Sequence, residues 1–518
     1  MNVIRTLFVS ALATGTLAAQ FDYDLEKRTS GRLGEALELD VVAAPPASLA
    51  LIVPSTTSGP TPLSLIDPAD SRVLAVGTDL LSALSVLVTD AAGDAAYSFQ
   101  VPSAPNLAGF ELHWQSVSLL FGATLIGELS NPVVTLTGAP DTSALAPSAM
   151  QSARAFAANL IDANNNASAN DVLVTGGGGG TLTNAVGLAT TERWDFRRMR
   201  FVPGPTMGSA RALHSAVRLN DDRVLMIGGA NQTGAVLNSC EIYDPNTDSF
   251  SPTGSMGTPR ILFGACLLAD GRVMVAGGTS TLTPDITAAV TSTLRSAEIY
   301  DPATGTWSGT SSLGGNRLAP ALTQLAGTGD VLATGGIEIT FVFGFPIGAT
   351  STTNVQRWNP SSGSWSNGPN MAQGRAGHQY NQVTLNDGRV LLTGGVLVPS
   401  LLNAASAAPI QGAEIYDPVA NSWQTANMST ARALHSATVL GDGRVAVCGG
   451  AQGTLTAPTS LDTVEVFDPT TNTWAAAPSL TGGVRASHTA ELLPDGTLVL
   501  IGGQGGSATT PTVETLRF

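Results

Sequence analysis

Beyond about residue 140 the chain alternates short apolar runs with breaks rich in Gly, Pro and Asp. That pattern predicts short β-strands and no long helices. The runs recur in phase. An arginine opens each unit, at Arg154, Arg211, Arg260, Arg317, Arg375, Arg432 and Arg485, at intervals of 49 to 58 residues. Each arginine is followed by an apolar strand, a turn often written Asp-Gly, a second apolar strand and a Gly-Gly pair. The first glycine of that pair falls at 176, 228, 277, 335, 394, 449 and 502. Four units place it 17 residues after the arginine; the first stretches to 22 because the Asn-rich insert Ala163–Asn170 occupies its hairpin tip. A third strand ends in Glu-Ile-Tyr-Asp-Pro at 241–245, 298–302 and 414–418 and in Glu-Val-Phe-Asp-Pro at 465–469, with weaker copies from Glu192 and Gln356. Pro fixes φ and the Asp side chain caps the bend, so this is turn chemistry. Six residues past the Asp or Asn, an aromatic opens a fourth strand: Phe250, Trp307, Trp365, Trp423 and Trp474.

Four antiparallel strands in a unit of about 50 residues is the spacing of a propeller blade. The double glycine, the Tyr-Asp-Pro turn and the following Trp are the features by which residues 140–518 resemble the kelch family. The expected fold class is all-β: a seven-bladed kelch-type β-propeller over 139–518, preceded by a small β-sandwich. The unit at Arg485 supplies only three strands, Ala486–Leu493, Thr497–Ile501 and Val513–Phe518. A methionine stands four residues before the arginine at Met207, Met256, Met371 and Met428, and Met150 holds the same relation to Arg154. Residues 139–150 are therefore expected to close the ring as the fourth strand of blade seven, which covers a bare sheet edge. Residues 30–138 carry the strand-like runs Arg72–Gly77, Leu84–Val88, Glu111–Leu119 and Val133–Thr137, which suggest the sandwich. Within them, alternation sets Glu111 and His113 on one face and Leu112 and Trp114 on the other.

Residues 1–19 read as a secretory signal: Arg5, an apolar stretch from Leu7 to Leu17, then Ala18 and Ala19 at the expected cut. The expected location is secreted, periplasmic or extracellular. The chain has 39 acidic and 24 basic residues and a formal net charge of −15. With Lys27 as its one lysine and no basic run, it is a poor partner for nucleic acid. No apolar run after the signal is long enough for membrane insertion. Three irregularly spaced cysteines, Cys240, Cys266 and Cys448, form neither a disulfide framework nor a metal pair and read as buried thiols.

The seven arginines open the innermost strands, so the repeat gathers them at one mouth of the channel as candidate ligand contacts. Planar, bidentate guanidinium groups suit carboxylates, sulfates and phosphates. Against this, six units also carry a third-strand glutamate, Glu192, Glu241, Glu298, Glu414, Glu465 and Glu514. One Arg and one Glu per repeat is also the composition of a structural pair. His214, His378, His435 and His488 all lie three residues after a repeat arginine. His378, His435 and His488 occupy adjacent blades, which makes a metal site conceivable, while recurrence at one offset is what a packing role produces.

A secreted sandwich followed by seven kelch blades resembles galactose oxidase and its copper-radical relatives. That resemblance implies copper held by histidines and tyrosines near the first-strand arginines. The histidine offset is matched, but the preceding residues are Leu213, Gly377, Leu434 and Ser487. Tyr243, Tyr300 and Tyr416 belong to the Tyr-Asp-Pro turns, and Tyr380 has no second tyrosine beside it. No G-x-S-x-G, H-E-x-x-H or P-loop is present. The sequence therefore points to no cofactor, with copper entering only through the resemblance. It suggests a secreted module that binds carbohydrate, acidic polysaccharide in particular, or an extracellular protein through the propeller mouth. The alternative is a galactose oxidase-like carbohydrate-active enzyme with an altered copper site. Inserts at Thr279–Leu294, Ile337–Thr353 and Val396–Gln411 are expected to wall that mouth.

Overall fold

The computed structural model describes residues 24–518 with short interruptions, the longest at 120–125, 163–170, 180–185 and 401–405. The signal expected at 1–19 and the Asn-rich insert lie outside the described residues. The chain is almost entirely β. Among the described residues no helix is long and apolar enough to cross a membrane.

Each repeat unit folds as one four-stranded antiparallel sheet, and there are seven such sheets among the described residues. The burial of a strand follows its place in the sheet. Second strands such as Val224–Ile227, Val390–Thr393 and Leu498–Ile501 are buried at every position. Their continuous apolar runs fit this, because neighbouring sheets cover both faces. Fourth strands such as Thr306–Thr310 and Thr473–Ala477 are largely exposed. First strands such as Ser215–Arg218 are half-buried. Each first strand lies beside the first strand of the next unit, and Thr489–Leu492 of unit seven lies beside Ala158–Asp162 of unit one.

Hydrogen bonds return on themselves in the same order. The N–H of the second glycine in each Gly-Gly donates to the carbonyl of the next unit's arginine, from Gly177 to Arg211 (2.8 Å) through Gly450 to Arg485 (2.8 Å). Gly503 of unit seven then donates to Arg154 of unit one (2.9 Å). The contact is close enough to demand glycine: a Cβ on Gly228, at φ 57°, would lie 2.6 Å from the Arg260 carbonyl oxygen.

Outer strands are stapled in a similar way. Asp244, Asp301, Asp417 and Asp468 each accept a backbone N–H two residues on, at 2.8 to 2.9 Å, which is the cap expected of Asp-Pro. Trp307, Trp365, Trp423 and Trp474 each donate an indole N–H to a carbonyl of the preceding unit, at 2.7 to 3.0 Å. The strand Thr142–Leu145 pairs antiparallel with Val513–Arg517, from Thr142 opposite Arg517 to Leu145 opposite Glu514, as the fourth strand of that sheet.

Among the described residues, 24–138 form a two-stranded sheet (Ser58–Pro62 with Val73–Val76) besides a three-stranded and a six-stranded one. Leu25, Leu37, Leu39, Ile52, Trp114 and Val133 pack together between the latter two. Trp114 is buried, with Phe99 edge-on at 5.4 Å. The first strand, Asp24–Lys27, starts ahead of the expected boundary and pairs with Ala36–Val42. This part is fastened to the sheet of unit seven by a buried ion pair, Lys27 to Asp495 at 3.2 Å. Arg517 adds a bond from Nη2 to the Leu136 carbonyl at 2.7 Å. Two inserts take shapes that apolar patterning alone did not reveal: a short helix, Ile286–Thr291, and a hairpin, Ile337–Val342 with Phe345–Ser351.

Candidate functional site

The seven arginines are 0 to 1% exposed, so they are interior groups rather than a charged rim. In unit two, Arg211 Nη1 donates to the carbonyls of Gly228 (2.7 Å) and Ser239 (2.8 Å), and Nη2 donates to Glu241 Oε1 (2.8 Å). The other carboxylate oxygen of Glu241 accepts the N–H of Gly208 (2.6 Å), on the crossing from the previous sheet. The same pairing joins Arg154 to Glu192, Arg260 to Glu298, Arg375 to Glu414, Arg432 to Glu465 and Arg485 to Glu514, at 2.6 to 3.1 Å. Arg317 meets the neutral Gln356 at 3.4 Å instead. Of the two roles open to these residues, the geometry supports the structural pair. None of the seven lines the central cavity.

The histidines are also occupied. Nε2 of His214, His378 and His435 lies 3.0, 2.9 and 2.8 Å from the hydroxyls of Thr175, Thr334 and Thr393, each on the preceding unit just before its Gly-Gly. His488 Nε2 reaches Ser436 Oγ of unit six at 3.0 Å. Burial, with a nearby repeat arginine, pushes His214 and His488 down to about 3 and holds His378 and His435 well below the ordinary range. All four are neutral inter-unit ties at physiological pH.

The donor set suits copper poorly. Among the described residues no group of three or more His, Cys, Asp and Glu side chains could hold a metal ion. Tyr243, Tyr300 and Tyr416 spend their hydroxyls on Asp248, Thr253 and Asn421 of the outer strands and turns. Tyr380 lies outside the described residues. The cysteines are free, and burial pushes their thiols up to about 11 for Cys240 and about 12 for Cys266 and Cys448.

The one repeat position that faces the channel in every unit is two residues after the arginine, with His214, His435 and His488 also on the wall. Phe156, Leu213, Leu262, Ala319, Gly377, Leu434 and Ser487 each sit two positions after a repeat arginine, and all seven line one central cavity. All seven adopt left-handed backbone conformations, with φ between 51° and 70°. A partial backbone collar joins them: Ser487 N–H donates to Leu434, Phe156 to Ser487, Leu213 to Phe156, and Ala319 to Leu262, at 2.8 to 3.3 Å. Left-handed geometry is costly for Leu and Phe, of order 1 kcal/mol or more each, and it sets their side chains at the cavity wall. The cavity measures about 460 Å³, and no Asp, Glu, Lys or Arg is found among its described lining residues. Sequence reasoning passed over this ring except to note that tyrosine is missing from it. Its signal was the fixed offset of two from each arginine.

Comparison with known proteins agrees with this architecture. The Kelch motif matches residues 432–481, which is the sixth unit. A fungal alcohol oxidase of the AA5 family, solved in complex with copper, is similar in structure at 17% identity, with a TM-score of 0.51 over 72% of this chain and 75% of that one. No curated protein matches the chain in sequence. The fold is a β-propeller similar to that of this oxidase, with a Kelch motif in its sixth unit.

Proposed function

We propose that the chain is an exported seven-bladed propeller, closed by residues 139–150 and preceded by a β-sandwich over 30–138, that holds a ligand at the mouth of its channel. It works as a binding or protein-interaction module. The observation that carries this reading is the cavity framed by the seven collar residues, whose size falls in the range of small-molecule sites, roughly 300–1,000 Å³. The buried Arg–Glu pairs keep that frame in shape, and ligand contact passes to the collar. An acidic polysaccharide finds no cation on the described cavity wall, so within this reading an uncharged ligand or an extracellular protein is the better partner.

The copper-oxidase alternative draws on the shared fold and the histidine offset. It lacks tyrosine at Leu213, Gly377, Leu434 and Ser487, and each of the four histidines already ties two units together. The test is native purification, followed by copper reconstitution and analysis of every molecule the protein retains. A retained ligand that is lost in a channel-filling Leu213→Trp variant, with no stoichiometric copper, is the expected result. Stoichiometric copper that disappears in His435→Ala would refute this reading and favour the oxidase.

A further inference from the structure

The cavity wall is two-sided. Units one to four contribute mainly apolar side chains, among them Phe156, Leu213 and Leu262. Units five to seven contribute most of its hydrogen-bonding groups. Several of those polar atoms are buried without a partner: Gln379 Oε1, Ser487 Oγ, His488 Nδ1 and Thr489 Oγ1. An unsatisfied buried donor or acceptor costs about 1–3 kcal/mol, and here four belong to residues on one side of the cavity against one, His214 Nδ1, on the other. These atoms are closed to solvent as they stand, so a ligand reaches Gln379 and Ser487 only after a side-chain turn, while its other side must tolerate an apolar wall.

We infer that the cavity takes a neutral, amphipathic small molecule: a compact aromatic or alicyclic body against units one to four, with an uncharged hydrogen-bonding group turned toward Gln379 and Ser487. This inference rests on the reading of the mouth as a ligand site. Both simpler classes fit less well. A charged ligand would lose its hydration with no counter-charge on the described wall, and a sugar would leave hydroxyls unpaired against Phe156, Leu213 and Leu262.

The ring contains its own test position. A Cβ on Gly377 meets nothing within 4 Å, and its φ of 70° resembles that of Phe156 and Leu434 at the equivalent positions. Gly377→Phe should therefore fill the cavity on an intact fold. The probe is N-phenyl-1-naphthylamine, a neutral aromatic amine whose fluorescence rises on leaving water, titrated into the full-length protein. Saturable binding at one site is expected. It should weaken at least tenfold in Gly377→Phe, which keeps the wild-type melting temperature within a few degrees, and several-fold in Gln379→Ala. Carvone, a neutral alicyclic ketone, should displace the probe, while galactose and glucuronate should not. Galactose or glucuronate binding that Gly377→Phe abolishes, with no uptake of the naphthylamine, would overturn the ligand class and leave the mouth as the site. Probe binding that survives Gly377→Phe would overturn the assignment to this cavity. A folded protein that binds none of these molecules would overturn both.

Discussion

Removing one member of a buried Arg–Glu pair tests directly whether these arginines serve structure. In unit five, Arg375 is fully buried and Glu414 is 1% exposed. Arg375 Nη1 donates to the carbonyls of Gly394 (2.9 Å) and Gly412 (2.8 Å), and Nη2 donates to Glu414 Oε1 (2.7 Å). Glu414 Oε2 accepts the Ala372 N–H at 2.7 Å. Arg375→Met keeps much of the volume but takes a donor from two carbonyls, of which that of Gly412 still accepts the Gly394 N–H (3.1 Å), and strands a carboxylate in the interior. Breaking a buried pair from one side costs about 3–5 kcal/mol. Glu414→Gln removes the charge and keeps one acceptor oxygen, to be shared by Arg375 and Ala372, so about 2 kcal/mol is expected, in the range of a charged hydrogen bond. The double variant should be less damaging than the sum of the two, with a coupling of about 1–3 kcal/mol, because the stranded carboxylate is gone. The assay is denaturant unfolding followed by tryptophan fluorescence, with the melting temperature as a second readout. A single variant Arg375→Met within about 0.5 kcal/mol of wild type would refute the structural role, and weakened ligand binding at unchanged stability would return the arginines to the mouth.

Three further outcomes follow. His214 and His488 sit at about 3 in the folded protein against roughly 6.5 when unfolded, so the unfolded chain takes up the protons. Stability should be full above pH 6.5 and fall as pH drops toward 3, by about 2 kcal/mol per histidine at pH 5; acid titration of the melting temperature checks this, and a His488→Gln variant should flatten the slope. Lys27→Met leaves Asp495 buried without its counter-charge, so the N-terminal sheets should loosen by about 3–5 kcal/mol, read as faster proteolysis within residues 24–138. Gly228→Ala adds a Cβ 2.6 Å from the Arg260 carbonyl to its left-handed strain and should cost more than about 2 kcal/mol, whereas Gly377→Ala, with open space around it, should bear the strain alone, about 1–2 kcal/mol; equal effects on the melting temperature would refute the close-approach account.

The units, their four strands and the all-β class were legible because strand burial and turn chemistry leave local marks. Apolar second strands, Asp-Pro bends and glycine pairs each reflect a constraint inside one blade or at its nearest neighbour. The strand Ala36–Val42 was less legible, although Leu37, Leu39 and Val41 alternate with Glu38 and Asp40, because no repeat supplied a second copy to compare. The collar was hidden for another reason. Its left-handed backbone recurs whatever the residue type, and Phe156, Leu213 and Leu434 are not residues that favour positive φ.

The histidines show how inter-blade physics can be read from one chain once the partner position is known. Each histidine faces the residue before the Gly-Gly of the preceding unit. Where that residue is Thr175, Thr334 or Thr393, the next unit places His214, His378 or His435 opposite it, and Nε2 meets the hydroxyl. Where it is Ile501, Ile227 or Ala276, the facing residue is Ala157, Phe263 or Pro320, none of which has a side chain able to share such a bond. Cys448 is intermediate: a thiol is a weak acceptor, and His488 turns to Ser436 instead. The partial recurrence of histidine thus tracks a complementary position one blade away, polar opposite polar and apolar opposite apolar. A metal site would require histidines to converge on one point, whereas these are distributed according to their neighbours. Their recurrence is therefore explained by packing between units, without a metal.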